Sequence, residues 1–306
     1  MGSIPLGRTS SNMHRYLLTT GIVLCWLSSL APLGAQELSQ DASWKDLTMK
    51  VYQLYNQGAY GEAAKYAEEA VTLSKQTFGE DNLRTSTALN NLARVYAAEG
   101  RLQEAESLHL RALFINEKLL GEFGAGVETD LTNLASLYLQ ESKPALAEPM
   151  LKRAAMVIQL NAGLTNPALI EVYDMLGQAA LAQGHLVEAR TSFNKSLELA
   201  KQLYGPNALS VAQALYDLAL LDQQEHLPAK AEPLFERVLL ILQEHLGRQH
   251  PEVANALERY AVTLRALGKR TEALEAEHRA SEIRQIAQSN HTAWFTSSAQ
   301  DQAILD

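Results

Sequence analysis

Residues 84–121 read RTSTALNNLARVYAAEGRLQEAESLHLRALFINEKLLG. Apolar side chains fall at Leu89, Leu92, Ala93 and Tyr96, and again at Leu102, Ala105, Leu108, Ala112, Ile115 and Leu119. Steps of three and four put each set on one face of a helix, so the stretch predicts two amphipathic helices. Gly100 stands between them and Gly121 follows the second. Glycine takes the left-handed conformation that ends a helix without a steric penalty. The unit is therefore a first helix, a tight turn, a second helix and a loop. No segment of the sequence alternates apolar and polar residues as a strand does.

The unit recurs. At steps of 42 residues stand Gly58, Gly100, Ser142, Gly184, His226 and Gly268. Five positions further on every copy has alanine: Ala63, Ala105, Ala147, Ala189, Ala231 and Ala273. A third series, Gly79, Gly121, Gly163, Gly205 and Gly247, ends with Ser289 in the last copy. Three registers in phase over six copies mark an array of stacked supersecondary units. The alanines let the first helix of each pair approach the second closely. A second small series does the same later in the second helix: Ala70, Ala112, Ala154, Ser196, Val238 and Ala280. Leu47, Leu89, Leu131, Tyr173, Leu215 and Leu257 fill the layer between. One helix pair buries too little apolar surface to stand alone, so neighbours must share a continuous core.

Several residues carry a more specific likeness. Asn90-Asn91-Leu92-Ala93, Tyr96, Gly100-Arg101, Glu104-Ala105-Glu106, Arg111-Ala112-Leu113 and Leu120-Gly121 resemble the 42-residue tetratricopeptide repeat of the kinesin light chain type. His250-Pro251-Glu252-Val253-Ala254 opens the last copy in that family's manner. The resemblance covers residues 41–288 and implies an all-α, right-handed superhelical solenoid of six helix pairs. Some copies depart from the pattern. Pro144 and Pro228 suit the first turn of a second helix. Pro149 and Pro233 lie about a turn further in, where each removes one backbone hydrogen bond and is expected to bend the helix. Asp222 stands where earlier copies have Tyr96 and Tyr138, so a thinner core is expected there.

Residues 1–35 do not fit the repeat. Arg8 and Arg15 precede an apolar run from Tyr16 to Leu33, and Gly34-Ala35 follow. A charged start, an apolar middle and small residues at the end describe a secretory signal, with cleavage expected after Ala35. The alternative is an uncleaved anchor that holds the repeats at a membrane. The expected organisation is a signal at 1–35, a solenoid at 36–288 and a flexible tail at 289–306, with the repeats periplasmic or secreted. The single cysteine, Cys25, falls in the signal, which leaves the mature chain no thiol chemistry.

The chain has 26 basic and 35 acidic residues, a net charge of −9. Removing Arg8 and Arg15 leaves 24 basic against the same 35 acidic, or −11. So acidic a chain has no general affinity for phosphate backbones, and nucleic acid is not an expected partner. The repeats occupy nearly all of the mature chain. No phosphate-binding glycine loop and no nucleophile elbow interrupt them. Neither catalysis, a cofactor, a metal nor a small-molecule substrate is expected, and no second segment is apolar enough to span a bilayer. His245 and His250 are five residues apart with Gly247 between, which reads as a helix end rather than a ligand pair. His109 falls where Leu151, Phe193 and Phe235 fall in other copies, so it reads as a packing residue.

The resemblance also implies where a partner would bind, because the first helices of tetratricopeptide pairs line the concave face. The register then points to Tyr52 and Tyr55 in copy 1, Asn90, Asn91 and Arg94 in copy 2, and Asn133 and Ser136 in copy 3. Asn91 and Asn133 are one repeat apart. An amide both donates and accepts, so such a pair suits an extended peptide backbone; bonding to a neighbouring helix is the other reading. Tyr52 and Tyr55 offer apolar area with a polar tip, or simply pack. Glu171, Asp174 and Asp217 are expected to make the middle of the face acidic. The function implied is a non-enzymatic scaffold or adaptor outside the cytoplasm, binding an extended segment of a protein partner. The alternative is a structural solenoid that assembles with itself.

Overall fold

The computed structural model describes residues 41–302, with side chains through Ala287. Residues 1–40, which include the expected signal and Cys25, and residues 303–306 lie outside the described residues. Twelve helices occupy the described residues, and no strand occurs among them. They are α1 (41–56), α2 (Tyr60–Phe78), α3 (Leu83–Ala98), α4 (Leu102–Leu120), α5 (Val127–Gln140) and α6 (Pro144–Ala162). Then follow α7 (Ala168–Ala182), α8 (Leu186–Tyr204), α9 (Leu209–Gln224), α10 (Pro228–Leu246), α11 (Pro251–Ala266) and α12 (Arg270–Gln302). The second helices α2, α4, α6, α8 and α10 are each 19 residues long, so the period of the sequence is also a period of length.

The turns within the pairs show how the register works. Gly58, Gly100, Ser142, Gly184, His226 and Gly268 all have positive φ, between 57° and 80°. Each closes its turn with the same two backbone bonds. In copy 2, Gly100 N–H donates to Ala97 O at 3.1 Å and Arg101 N–H to Tyr96 O at 2.9 Å. This is the Schellman arrangement, which satisfies carbonyls that the helix end would otherwise leave open. Ser142 and His226, with φ of 57° and 58°, make the same turn without being glycine. A side chain in this region costs about 1–2 kcal/mol. Glycine gives back part of that through its greater freedom in the unfolded chain. Ser142→Gly and His226→Gly are therefore each expected to stabilise the protein by about 0.5–1 kcal/mol. A shift of the denaturation midpoint to higher denaturant checks this.

The chain divides into two compact units, one ending at Ile115 and the other beginning at Asn116. In the first, α2 packs on α3. Trp44, Ala70 and Ala88 form one buried cluster, and Leu89, Ala112 and Ile115 another, with Val71 and Leu108 packed against it. In the second unit α5 pairs with α6, α7 with α8, α9 with α10 and α11 with α12, each pair packs on the next, and α5, α7, α9 and α11 adjoin in turn. Each unit is thus an all-α, right-handed solenoid of paired helices. The repeated alanines explain the close approach: Ala63, Ala105, Ala147, Ala189, Ala231 and Ala273 are all fully buried. A larger side chain at these positions would force the two helices apart.

The irregular copies resolve in specific ways. Pro144 and Pro228 sit at the start of α6 and α10, and both helices run through Pro149 and Pro233. Asp222 does not leave a thin core. It is buried and accepts from Arg190 Nη2 at 2.6 Å, while Glu225 accepts from the same nitrogen at 2.5 Å. With serine at 289 in place of the recurrent glycine, α12 continues to Gln302. Among the described residues no helix is long and apolar enough to cross a membrane.

Candidate peptide-binding groove

In the first unit, α1 and α3 present side chains to a common open cavity of about 470 Å³. Its lining includes Trp44, Thr48, Met49, Tyr52 and Tyr55 from α1 and Asn91, Arg94 and Val95 from α3. Met49 and Tyr52 are 60% and 62% exposed, although both are large and apolar or amphipathic. The α1 residues follow helical spacing, and Trp44 anchors them from below, edge-on to Phe78 at 6.4 Å. The Arg94 guanidinium lies 5.1 Å from the centre of the Tyr55 ring, and Tyr55 meets Tyr60 at 5.3 Å. These contacts hold two of the lining side chains in place before anything binds. The cavity therefore offers aromatic surface, one amide, the Thr48 hydroxyl, one guanidinium and the Lys45 ammonium.

Tyr52, Tyr55, Asn91 and Arg94 are thus brought together, as the register implies. Asn90 is not one of them. It is buried, and its Oδ1 lies 2.8 Å from Nδ1 of His109. The reason is local to copy 2, where His109 occupies a core position that other copies fill with Leu151, Phe193 or Phe235. A buried imidazole needs a polar partner, and Asn90 supplies it. Burial, and then the charge of Arg94, push the His109 ring down to about 4, so it is neutral near pH 7. Asn133 and Ser136 stand on α5 of the second unit, the first half-buried and the second exposed.

The five family-model matches decide the classification. The tetratricopeptide repeat model matches residues 51–118, 84–159, 126–202, 168–239 and 210–286, and from the third onward each match begins one 42-residue repeat after the one before. The chain belongs to the tetratricopeptide repeat family. This repeat is a protein-interaction scaffold and not a catalytic fold. Solved structures agree on the architecture. The chain is similar to BtubC from P. vanneervenii, at 21% identity over 75% of this chain and 92% of that one, with a TM-score of 0.65. It is also similar to the nearly identical repeats of a putative kinesin light chain from Podosopora anserina, at 20% identity over 66% and 95% of the two chains, TM-score 0.59. PilF of Pseudomonas aeruginosa matches at 17% identity over 82% and 99%, TM-score 0.57. At these identities the likeness is one of fold. No curated protein matches the sequence significantly.

The remaining tetratricopeptide positions correct part of the sequence reading. Glu171 is exposed, but Asp174 and Asp217 are buried and do not form an acidic surface. Burial, then the nearby charges of Asp217 and Glu171, push the Asp174 carboxyl up to about 7. Burial pushes Asp217 up to about 6, against hydrogen bonds from Gln213 and Gln178. Both folded values lie above the unfolded one. Between about pH 4 and pH 7 the folded state holds protons that the unfolded chain has released, so the second unit loses stability as pH rises through that window. Asp174→Asn with Asp217→Asn is expected to flatten this decline, which thermal melts between pH 5 and pH 8 would detect. His109 acts in the opposite sense, adding stability as pH rises from about 4 to 6.5.

His245 and His250 are not paired: His245 Nε2 lies 2.8 Å from Asn207 O, and His250 Nδ1 accepts from Glu252 N–H at the start of α11. Among the described residues no group of three or more His, Cys, Asp or Glu is placed to hold a metal ion. Lys45, Val51 and Val95 also line the cavity and were not picked out by the sequence reading, but the largest residue it missed is Trp44. It falls outside the stripe because the register places it level with Ser86, which is small and buried. Its position two turns before Tyr52 was the available signal.

Proposed function

We propose that this protein is an adaptor that holds an extended segment of a protein partner against α1 and α3. The observation that carries this reading is the exposed thioether and aromatic surface of Met49 and Tyr52, with half-buried Tyr55, beside Asn91 and Arg94. Contiguous exposed apolar surface rimmed by polar groups marks interaction sites. Asn91 can bond a peptide backbone whatever its sequence, and the rings supply area at low entropic cost. The 42-residue period and the motif residues of copy 2 support a repeat of the kinesin light chain type. Residues 1–35 act as a secretory signal, so the adaptor works outside the cytoplasm. N-terminal sequencing of cell fractions tests that point, and intact protein starting at Met1 in the cytoplasm contradicts it.

A photo-activated cross-linker tests the groove. Placed at Tyr52 it is expected to trap a partner segment, and placed at Phe114, which is exposed on α4, it is not. Equal trapping at both positions contradicts the groove. Light scattering across concentration gives the remaining outcome, since growth of the particle with concentration would favour the self-assembling solenoid.

A further inference from the structure

A second cavity, of about 410 Å³, lies in the second unit between α6 and α8, with α7 as its floor. Its origin can be read from the repeat itself. In copy 2 the corresponding space is filled. Tyr96 is buried there, its hydroxyl donates to Glu68 Oε1 at 2.8 Å, and the Arg101 guanidinium lies 3.4 Å from its ring centre. Val71 and Leu108 pack against the Leu89 cluster of the same unit. Two repeats further on, Tyr96, Val71 and Leu108 are replaced by Ala180, Ala155 and Ser192, all three of which line the cavity. Copy 5 is different again, with Leu197 and Leu234 at two of these positions and the Asp222–Arg190 pair at the third. Copy 4 alone has given up all three large side chains while keeping the surrounding helices.

What remains is a slot at the position that the Tyr96 ring fills in copy 2. Tyr173 and Leu176 give it an apolar floor, and Met156, which is 51% exposed, forms one wall. Lys152 stands at the position of Glu68, paired with Glu148 at 2.5 Å, so a donor and an acceptor wait where the tyrosine hydroxyl ends in copy 2. Lys195 Nζ lies 5.4 Å from the centre of the Tyr173 ring, near enough to act on a second aromatic face. We propose that this cleft is a second docking site, which takes an aromatic side chain, tyrosine above others, from a protein partner. An aliphatic side chain would fill the floor and leave the Lys152–Glu148 rim without a polar tip to meet. The site does not depend on the groove of α1 and α3.

The test uses p-cresol, the isolated tyrosine side chain, titrated into the full chain while the methyl signal of Met156 is followed by NMR. A saturable ring-current shift is expected at millimolar ligand. Ala180→Tyr is expected to abolish the shift and to raise the melting temperature, because it refills the slot from within. Should that variant fail to fold, Ala155→Val with Ser192→Leu restores two of the copy 2 residues and is expected to weaken the response at least severalfold. Tyr52→Ala should leave the shift intact, which separates this site from the groove. No saturable shift in the parent, a full response in the folded Ala180→Tyr variant, or displacement of p-cresol by cyclohexanol at equal concentration would overturn the proposal.

Discussion

Arg190→Ala is expected to lower the unfolding free energy by about 3 kcal/mol, the range seen when one partner of a buried ion pair is removed. Asp222 is the reason. Its side chain is only 3% exposed, and Arg190 Nη2 is its cation at 2.6 Å. Without Arg190 a carboxylate is left in the core between α8 and α9 with Glu225 beside it, and desolvation is no longer offset. The pair itself need not be stabilising. Replacing buried charges by apolar groups that fill the space is often neutral or favourable. Copy 6 shows the replacement, because Leu264 is the residue one repeat after Asp222 and is buried. Arg190→Ala combined with Asp222→Leu should therefore recover most of the loss. Denaturant melts of the two single variants and the double variant give the coupling directly.

Gly177→Ala is expected to cost about 2 kcal/mol even though alanine is the better helix former by about 1 kcal/mol. A Cβ at Gly177 would lie 2.3 Å from Cε1 of the Phe193 ring, which is fully buried. The other copies show that the two positions are matched. Ala135 pairs with Leu151, and Ala93 with His109. Ala219 does coexist with Phe235, where the ring is held by Tyr216 at 5.8 Å and Tyr260 at 6.3 Å; copy 4 has Asp174 and Leu218 at those positions. Gly177→Ala with Phe193→Leu recreates the combination of copy 3 and should restore stability toward the parent. Additive losses in the double variant would show that the two residues do not share a site.

The helix pairs were legible in the sequence because three registers constrain the same turn. Gly58 and its equivalents, the alanines five residues later and the glycines after the second helices each end or pack a helix in only one way. Side-chain direction was less legible. Asn90 and Asn91 are neighbours, so the 42-residue register assigns both to one face, yet about 100° of helical rotation separates them. His109 decided which one turned inward, and a lone polar residue at a core position was the clue. Asp174 and Asp217 were misread for a related reason. Charge is visible in a sequence, but the burial that takes these carboxyls off the surface and raises their pKa depends on how α7 and α9 pack. Arg190 and Asp222 are 32 residues apart and belong to neighbouring copies, so no local pattern connects them.

The central claim is that the face built from α1 and α3 holds a partner's extended segment. Isothermal titration with the segment trapped at Tyr52 measures this most directly. Tyr52→Ala and Arg94→Ala are each expected to weaken binding about tenfold, a loss of about 1.4 kcal/mol. Asn91→Ala should cost about 0.5–1.5 kcal/mol, and Phe114→Ala nothing, with all four variants melting as the parent does. Unchanged affinity in the three groove variants, with binding lost on changing Phe114, would contradict the account and move the binding surface to the second helices.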